Sequence, residues 1–390
     1  MKISNSSSIY IGLMSGTSLD GVDGVVVALP SEPGQQMQIL GTAHIPFDPN
    51  LRAQGFALQQ SGVDEIHREA LFANAMVEVY AACVAQLQSQ LSSQIQALPI
   101  RAIGVHGQTI RHRPELSYTR QTNNPALLAE RCGIDVIADF RSRDVAAGGQ
   151  GAPLVPAFHR AIFGVAGECR VVVNIGGISN ISILHSDGRT SGFDTGPGNV
   201  LMDAWIEHAR GLRYDADGAW ARSGQIHREL LASLCAEGFF DLPPPKSTGR
   251  DLFHLAWLQQ KLQTLHTGTD IAAADVQASL CALTARTIAR EIAQHAPDCQ
   301  SVFVCGGGAF NAYLMQELER ELHQEFSVRG HMPKTDLTVQ STASLGVAPD
   351  QVEALAFAWL AQCFVEGKAG NVAEVTGAKG PRILGALYPA

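Results

Sequence analysis

Apolar segments of strand length alternate with polar, glycine-bearing turns near the amino terminus. The segments IYIGLMS and VDGVVVAL within residues 9–29 are strand-like, and GTSLDG between them supplies turn residues. This pattern predicts a β-hairpin. Residues 64–91 are rich in Ala, Leu and Gln, with apolar positions three or four residues apart, which predicts a helix. The strands IRAIGVHGQT and GIDVIADF and the glycine-rich loop AAGGQGAP follow.

The plan of this first hairpin recurs in the middle of the chain. Residues 170–188, RVVVNIGGISNISILHSDG, again place an apolar strand, a Gly/Ser/Asn turn and a second apolar strand in succession. The loop GFDTGPGN, a helix beginning near Val200, the proline-rich PPPKSTGRD and a long helix over residues 275–294 come next. Residue identity between the two hairpins is slight, but their shared plan indicates an ancient duplication.

The last third of the chain adds one strand and one helix to this pattern. The segment SVFVCGGGAFN reads as a strand that ends in three glycines. Pro349 and Asp350 precede QVEALAFAWLAQCF, which we predict to be an amphipathic helix, because proline and acidic residues favour helix initiation. We expect this final helix to pack back against the amino-terminal domain.

Length and composition indicate a two-domain α/β protein. A chain of 390 residues exceeds what one hydrophobic core usually serves. A low charged fraction, 17%, together with 38 glycines, suggests a compact α/β fold with many tight turns. The predicted domains are residues 1–167 joined by residues 350–390, and residues 168–349.

Charge and cysteine usage exclude some classes of partner and indicate a reducing environment. The formal net charge of −9 argues against nucleic acid or an anionic membrane as the main partner, since both require a basic surface. The 8 cysteines are scattered without a CxxC pair, which is typical of reduced thiols rather than of a disulfide framework or zinc site. We recognise no signal peptide and expect no later segment to be long enough to span a bilayer, so we predict a soluble, cytoplasmic protein.

Several common catalytic signatures are missing from the chain. It has no GxxxxGK[ST] motif, and GxGxxG is not completed at residues 306–311, which weakens P-loop and dinucleotide-binding hypotheses. GxSxG and HExxH are also absent, so serine hydrolases of the α/β type and zincin proteases lose their support.

Three glycine-rich turns remain, each directly after an apolar strand, at residues 15–23, 174–180 and 305–311. Glycine lets the backbone approach a ligand and point several N–H groups at one anion. Any one such turn could simply reverse the chain. Two similar hairpins with a third loop are the plan of the actin, sugar kinase and Hsp70 ATPase superfamily. We therefore predict an α/β protein with two RNase H-like lobes and an ATP cleft between them.

A particular family carries the same motifs in the same order. MSGTSLDGVD, VHGQT, ADFRSRD, GGQGAPL, NIGGISN, GFDTGPGN, PPPKSTGRD and CGGGAFN resemble the motif set of anhydro-N-acetylmuramic acid kinases over nearly the whole chain. The resemblance implies ATP-dependent conversion of 1,6-anhydro-N-acetylmuramic acid, with water, to N-acetylmuramic acid 6-phosphate. That reaction belongs to the recycling of bacterial cell-wall sugar. It also suggests a homodimer, with a small amino sugar as the substrate.

The implied reaction needs a carboxylate that activates water. In the anhydro sugar, O6 is already bonded to C1, so its phosphorylation must be coupled to breaking the C1–O6 bond. A general base for the attacking water typically contributes about 10²- to 10⁴-fold in rate. The candidate is Asp194 in GFDTGPGN, an acid placed between a strand and two glycines. An Asp before Thr and Gly is also a common turn or N-cap residue, and the resemblance favours catalysis.

The resemblance also assigns the nucleotide-binding residues. They are Gly16, Thr17, Ser18, Leu19, Asp20, Gly21, Val22 and Asp23 in the first turn, Asn174, Gly176 and Gly177 in the second, and Gly306, Gly307 and Asn311 in the third. Magnesium is expected, because transfer from ATP requires charge neutralisation between the β- and γ-phosphates. Met14 and Asn174 stand where other superfamily members often carry an acid. The metal ligands therefore stay open among Asp20, Asp194 and water.

A sugar pocket is predicted mainly in the amino-terminal lobe. His106 and Gln108 lie where a strand ends, and Arg141 and Asp144 belong to DFRSRD. A buried, hydrogen-bonded His and an exposed Gln are the structural alternatives. An arginine would suit the lactyl carboxylate of muramic acid through a bidentate contact. The sequence does not choose among Arg141, Arg143 and Arg250.

The segment PPPKSTGRD allows two interpretations. Its prolines stiffen a loop whose Lys246, Ser247 and Thr248 could approach the nucleotide. A surface turn is the interpretation that residue statistics favour.

Two other functions stay open. One is an ordinary sugar or acyl-phosphate kinase of the same superfamily, which would phosphorylate a free hydroxyl without consuming water. The other is a non-catalytic ATP-dependent switch or sugar-sensing regulator. GFDTGPGN weighs against both, and no DNA-binding module or basic segment accompanies the predicted lobes to support the regulator.

Overall fold

The computed structural model describes residues 7–16, 18–31, 36–96, 98–265, 271–330 and 337–390. They form two compact units. The first unit comprises residues 1–158 and 351–390, and the second unit comprises residues 159–350. The first boundary between the two units lies between residues 158 and 159, within the helix Val155–Phe163. The sequence placed this boundary a few residues later, after residue 167.

The strands and helices are numbered along the chain. The strands are β1 (Ser7–Met14), β2 (Gly21–Pro30), β3 (Gln38–Pro46), β4 (Ile100–Val105), β5 (Gln108–Arg113), β6 (Tyr118–Thr122), β7 (Val136–Ala138), β8 (Arg170–Ile175), β9 (Ile178–Leu184), β10 (Thr190–Pro197), β11 (Ser301–Cys305), β12 (Thr338–Ser341) and β13 (Ala386–Tyr388). The α-helices are α1 (Pro49–Leu58), α2 (Glu65–Ser89), α3 (Ser93–Gln96), α4 (Pro125–Cys132), α5 (Ser142–Ala146), α6 (Val155–Phe163), α7 (Val200–Arg210), α8 (Ala219–Ser223), α9 (Arg228–Cys235), α10 (Leu255–Thr264), α11 (Ala273–His295), α12 (Ala312–Val328), α13 (Val352–Val365) and α14 (Ala373–Thr376). Short 3₁₀ helices lie at Pro114–Leu116, Ala216–Gly218, Gly238–Asp241, Gly307–Phe310 and Thr342–Leu345.

The first unit is built on a mixed sheet with strand order β13-β7-β4-β1-β2-β3. Strands β1, β2 and β3 form an antiparallel meander, in which Ile11 pairs with Val26. Strand β4 joins β1 in parallel and β7 joins β4 in parallel, whereas β13 is antiparallel to β7. Strands β5 and β6 form a separate hairpin.

The second unit repeats the central strand order of the first. Its sheet runs β10-β9-β8-β11-β12, with an antiparallel meander of β8, β9 and β10 followed by β11 and β12, which are parallel to β8. In both units the first strand of the meander is joined by two later parallel strands. This order is that of an RNase H-like sheet, so the predicted α/β fold with a duplicated unit is confirmed. The cleft expected between the units stays a prediction.

Helix α13 belongs to the first unit although it comes late in the chain. It packs on β1 and β4. The paired residues Gly12 and Gly104 permit this approach: a Cβ on Gly12 would lie 1.8 Å from the carbonyl oxygen of Ala354, and one on Gly104 would lie 2.1 Å from that of Phe357. The expectation of an amphipathic helix is wrong, because buried side chains surround α13. A helix apolar on all sides is typical of a buried core position.

Helix α2 covers the first sheet and matches the helix expected over residues 64–91. Its buried side chains include Phe72, Met76, Tyr80 and Val84, which belong to the core of that unit. By length and apolar composition α2 could cross a membrane, so the expectation that no segment is long enough is wrong. A core helix of a soluble protein passes the same test, and the buried side chains of α2 belong to the core of the first unit.

Helix α11 is the central helix of the second unit and matches the expected long helix. It is buried along most of its length, through residues such as Leu280, Leu283, Ile288 and Ile292. All eight cysteines are free thiols, and most of them are buried.

The strand predicted over IRAIGVHGQT is divided into two. Strand β4 ends at Val105 and β5 begins at Gln108. Gly107 between them has φ +79°, a left-handed conformation that suits glycine and turns the chain. His106 and Gln108 are therefore placed on either side of a tight turn.

Candidate active site

The glycine turns of the second unit come together at the carboxyl ends of β8 and β11. Asn174 at the end of β8 is the sheet partner of Cys305 at the end of β11. Gly306 has φ +78°, and a Cβ there would lie 2.5 Å from Oδ1 of Asn174. A Cβ on Gly308 would lie 2.3 Å from Cγ2 of Ile175. Only glycine fits these two positions, because side chains from β8 occupy the space.

The GPGN loop closes against the same turns. The backbone N–H of Gly198 donates to the carbonyl of Gly177 at 2.9 Å, and that of Asn199 donates to the carbonyl of Gly176 at 2.8 Å. Helix α7 begins directly after, at Val200. The sequence predicted Gly176 and Gly177 as nucleotide ligands but not Asn199, although the GPGN motif marked its position. The cluster thus combines tightly packed glycine turns with a helix amino terminus, a combination suited to anions.

The third predicted turn also begins a helix. Asn311 caps α12, since its side-chain oxygen accepts the backbone N–H of Leu314 at 2.9 Å. A Cβ on Gly218 would lie 2.3 Å from the same oxygen, so the Asn311 side chain is closely confined. Its contact with a nucleotide stays a prediction, as does that of Gly307.

Asp194 lies on strand β10 and not in a loop, which corrects the interpretation of GFDTGPGN. The reason is that β10 pairs with β9 through this motif: Asp194 faces Asn180, and a bulge follows before Gly196. Gly196 has φ +135°, and a Cβ there would lie 2.6 Å from the Phe240 ring. A β-bulge of this kind often re-aims a side chain next to an active site.

The carboxylate of Asp194 is held by two donors. The Ser247 hydroxyl and the backbone N–H of Thr248 each donate to its Oδ2 at 3.0 Å. Burial raises the pKa of the Asp194 carboxyl to about 6, and these two hydrogen bonds oppose the rise. A carboxylate with a pKa near neutrality is suited to accept a proton at physiological pH.

The segment PPPKSTGRD is not the simple surface turn that residue statistics favour. Its Lys246 is buried, and the carbonyl of Lys246 accepts the backbone N–H of Asp194 at 3.1 Å. Ser247 is exposed and Thr248 is half-buried. The segment lies beside the edge strand β10, which pairs only with β9 among the strands that the structure describes.

The first glycine turn, in the first unit, is tied to the turn at Gly107. The Ser15 hydroxyl donates to the carbonyl of Gly107 at 3.1 Å and lies 2.9 Å from the Tyr80 hydroxyl. Buried Gln108 donates its side-chain amide to the carbonyl of Gly16 at 3.1 Å. The alternative of an exposed Gln108 is therefore wrong. Gln108 holds the predicted phosphate turn, and its contact with a sugar stays a prediction.

The other residues assigned to the first turn differ in what they offer. Leu19 and Val22 are fully buried, so they could reach a nucleotide only through the backbone. Asp20 is exposed, with one carboxylate oxygen 3.5 Å from Nη2 of Arg52. Asp23 pairs with Nδ1 of His44 at 2.7 Å. Ser18 is half-buried, Gly21 lies in β2, and Thr17 lies outside the described residues.

His106 and Arg141 meet within the first unit. Nε of Arg141 donates to Nε2 of His106 at 3.0 Å, and Nη1 of Arg141 donates to the carbonyl of Gly151 at 2.7 Å. Burial lowers the pKa of His106 well below its usual value, and the Arg141 charge adds to that effect. The imidazole is consequently neutral at pH 7. Burial also lowers the pKa of Arg141, to about 10.

A carboxylate that the sequence did not reveal accompanies this pair. Burial raises the pKa of Glu353 on α13, and the Arg141 guanidinium opposes the rise. The sequence offered no sign of Glu353 beyond its place in the first turn of a helix, because its electrostatic interaction with Arg141 joins residues more than two hundred positions apart.

Asp144 is fully buried and holds the glycine-rich loop to the end of the chain. Its Oδ2 accepts the N–H of Gly151 at 2.8 Å, and its Oδ1 accepts from Asn371 at 2.6 Å and from the Thr376 hydroxyl at 2.8 Å. These hydrogen bonds give Asp144 a structural role. Direct contact with a sugar stays a prediction.

Comparison with known proteins agrees with the motifs. The family model described as anhydro-N-acetylmuramic acid kinase matches residues 8–390. A relative of that name from Cupriavidus pinatubonensis is 55% identical over 385 residues, which cover 97% of this chain and 98% of the relative. Another relative of that name, from Burkholderia cenocepacia, is 56% identical over 382 residues, which cover 98% of this chain and 96% of the relative.

A solved ROK family glucokinase from Streptomyces griseus is 14% identical, with a TM-score of 0.42, and covers 90% of this chain and 99% of its own. A TM-score of 0.42 is too low to support an argument about the fold, which rests on the strand orders described above. The family model, by contrast, spans nearly the whole chain, and the relatives are more than half identical to it. This chain therefore belongs to the anhydro-N-acetylmuramic acid kinase family.

Proposed function

We propose that this kinase converts 1,6-anhydro-N-acetylmuramic acid, ATP and water to N-acetylmuramic acid 6-phosphate and ADP, with Asp194 as the general base. The observation that carries the proposal is the Asp194 carboxylate, whose raised pKa of about 6 and fixed Oδ2 suit proton abstraction near neutral pH.

The reaction balances with one catalytic carboxylate. Water attacks C1, and its proton passes to Asp194. The C1–O6 bond breaks, and its electron pair stays on O6, which forms the new bond to the γ-phosphorus as ADP leaves. An inverting glycosidase needs an acid at the leaving oxygen. Here the γ-phosphoryl group takes that place as the electrophile.

The backbone N–H groups of the glycine turns are the proposed phosphate ligands. Magnesium is the proposed ion; among the residues that the structure describes, no group of three or more His, Cys, Asp or Glu could hold a metal ion by itself. Mg²⁺ bound to a nucleotide usually keeps several waters and takes only one or two carboxylates. Asp20 and water are the candidate ligands, because both carboxylate oxygens of Asp194 are used in its proposed role as general base. The bound ion would neutralise charge between the β- and γ-phosphates.

The sugar is proposed to bind at His106, Gln108, Arg141 and Asp144. The Arg141 guanidinium is the leading partner for the lactyl carboxylate, because it is already oriented by Gly151 and His106. Asp144 and Gln108 act on this site by holding its loops. A homodimer and a cytoplasmic location complete the proposal.

The deciding experiment uses purified protein, MgATP and 1,6-anhydro-N-acetylmuramic acid in ¹⁸O-labelled water, with ADP release and product mass followed together. ADP that forms only with the sugar, and a product heavier by one phosphate and one labelled water, supports the proposal. An unhydrated phosphorylated product indicates an ordinary sugar kinase. Tight ATP binding without ADP release indicates a switch.

A further inference from the structure

Lys246 is a buried cation directly beside the strand that carries Asp194. Its side chain is 2% exposed, and Nζ lies 3.0 Å from Oε1 of Glu291, whose side chain is 6% exposed. Nζ also donates to the carbonyl of Phe240 at 3.3 Å and lies 5.0 Å from the Phe239 ring centroid. Nothing in the reaction described above uses this ion pair.

A buried ion pair by itself contributes little to the free energy of unfolding. The cost of removing both charges from water commonly matches or exceeds their attraction, and apolar replacements of similar volume are often neutral or stabilising. Loss of one partner is strongly destabilising, because the other charge is left buried. A pair at this position is better explained by what it holds in place.

The loop that begins at Lys246 contacts Asp194 through three successive residues. The carbonyl of Lys246 accepts the N–H of Asp194 at 3.1 Å. Ser247 and Thr248 then donate to Oδ2 at 3.0 Å each. The Lys246 side chain connects this loop to Glu291 on α11, the central helix of the second unit. The ion pair is therefore the anchor of the segment that orients the carboxylate.

We propose that Lys246 is a positioning residue, whose ion pair with Glu291 holds Ser247 and Thr248 against Oδ2 of Asp194 so that Oδ1 is directed at the attacking water. This proposal rests on the proposed role of Asp194 as general base. It differs from a purely structural role, because loss of the anchor changes the ionisation of Asp194 as well as the stability of the fold.

The direction of that change follows from the hydrogen bonds. The Thr248 N–H and the Ser247 hydroxyl lower the pKa of Asp194 against the effect of burial. If these two donors are displaced while Asp194 stays buried, the pKa of Asp194 rises further. The charged and titratable groups on this side are Lys246, its partner Glu291, and His295, whose Nε2 lies 3.4 Å from Oε2 of Glu291.

The test compares Lys246→Met with a matched control, Lys261→Met, in the full chain. Lys261 also pairs with a glutamate, Glu237 at 3.3 Å, and lies 5.4 Å from the Trp257 ring centroid. For Lys246→Met we expect kcat to fall about 10- to 100-fold, as for a misplaced catalytic group, with KM for ATP within about threefold. The acid limb of the kcat profile should move to higher pH. Lys261→Met should leave kcat and the position of the acid limb unchanged.

A second variant separates positioning from folding. In Lys246→Met/Glu291→Met neither charge is left buried alone, so the melting temperature should recover relative to Lys246→Met. The lowered kcat and the shifted acid limb should persist. If the double variant, or a folded Lys246→Met, has the wild-type acid limb and kcat while Asp194→Asn is inactive, the positioning proposal is wrong and the base assignment stands. If Asp194→Asn keeps full activity, the assignment of the base itself is wrong.

Discussion

Thr248 donates its backbone N–H to Oδ2 of Asp194 at 3.0 Å, across 54 positions of the chain. Because a backbone donor is independent of side-chain identity, this hydrogen bond survives most substitutions at position 248. It survives an amide at position 194 as well, since the Asn side-chain oxygen is also an acceptor. The site therefore permits a substitution that removes the charge of Asp194 and keeps its contacts.

Asp194→Asn should abolish most of the activity without unfolding the protein. The amide oxygen can accept the same two hydrogen bonds, but it does not take a proton from water. We expect kcat to fall by about 100- to 10,000-fold, the usual contribution of a general base. The measurement is steady-state ADP release with saturating sugar and MgATP. Asp187→Asn is a control on an exposed carboxylate paired with Arg189, and near-normal activity of Asp194→Asn would contradict the assignment.

The same variant should be more stable than the wild type at neutral pH. The raised pKa means that the folded protein binds the Asp194 proton more tightly than the unfolded chain does. Stability from this group is thus fully present below the unfolded pKa of about 4 and is lost as pH rises through about 6. At pH 7.5 we expect Asp194→Asn to gain about 3 kcal/mol, since each pKa unit corresponds to about 1.4 kcal/mol, and at pH 4 the difference should nearly vanish. Urea unfolding at both pH values measures this, and an equal gain at both would disprove it.

Ser247→Ala should shift the pH dependence with little effect on the fold. The exposed hydroxyl is one of two donors that lower the pKa of Asp194, so its removal raises that pKa. We expect the acid limb of kcat/KM to move up by about one to two pH units, given the usual strength of a hydrogen bond to a charged group. A control is Ser223→Ala, whose hydroxyl donates to the carbonyl of Trp220. An unmoved acid limb would count against Ser247 as a partner of the ionised base.

Three arginine variants identify the partner of the lactyl carboxylate. Arg141→Met should raise KM for the sugar about 10- to 100-fold, because a hydrogen bond to a charged group contributes about 1.5–3 kcal/mol. Exposed Arg143→Met should leave that KM unchanged. Arg250 lies beside Gly177, so Arg250→Met should raise KM for ATP instead. A rise in the sugar KM with either of these two variants would move the assignment away from Arg141.

Gly104→Ala should destabilise the first unit. The added methyl carbon would lie 2.1 Å from the carbonyl oxygen of Phe357, and neither backbone can move away without separating α13 from the sheet. Overpacking of this kind costs about 1–3 kcal/mol or more. Gly238→Ala is the control, since a Cβ there meets no atom within 4 Å. Chemical unfolding of both variants gives the comparison, and equal stability would show that α13 tolerates displacement.

Much of the fold could be predicted from local pattern. Both hairpins, the long helices α2 and α11 and the start of α7 follow from periodicity and turn residues, and the repeated plan indicated two similar units. Element ends were less predictable. Strand β10 was expected to be a loop, because two glycines beside Asp194 resemble a turn unless the pairing with β9 is known.

The supporting residues of the site could not be predicted. Lys246 and Glu291 are 45 positions apart, and Asp144 meets Thr376 across 232 positions. Such contacts depend on how sheets and helices pack, and a single sequence contains no local sign of them. The carboxylate itself was visible, since Asp194 stands in a short glycine-bearing motif.

The two units also differ in how their parts are distributed along the chain. The second unit is continuous, whereas the first requires residues 351–390, including the helix that rests on Gly12 and Gly104. During synthesis on the ribosome, residues 159–350 all emerge before that helix does. The second unit is therefore able to fold while the chain is still growing, and the first must wait until α13 has emerged, with the sheet face that carries Gly12 and Gly104 still exposed. Shielding of that sheet by chaperones would matter most in this interval.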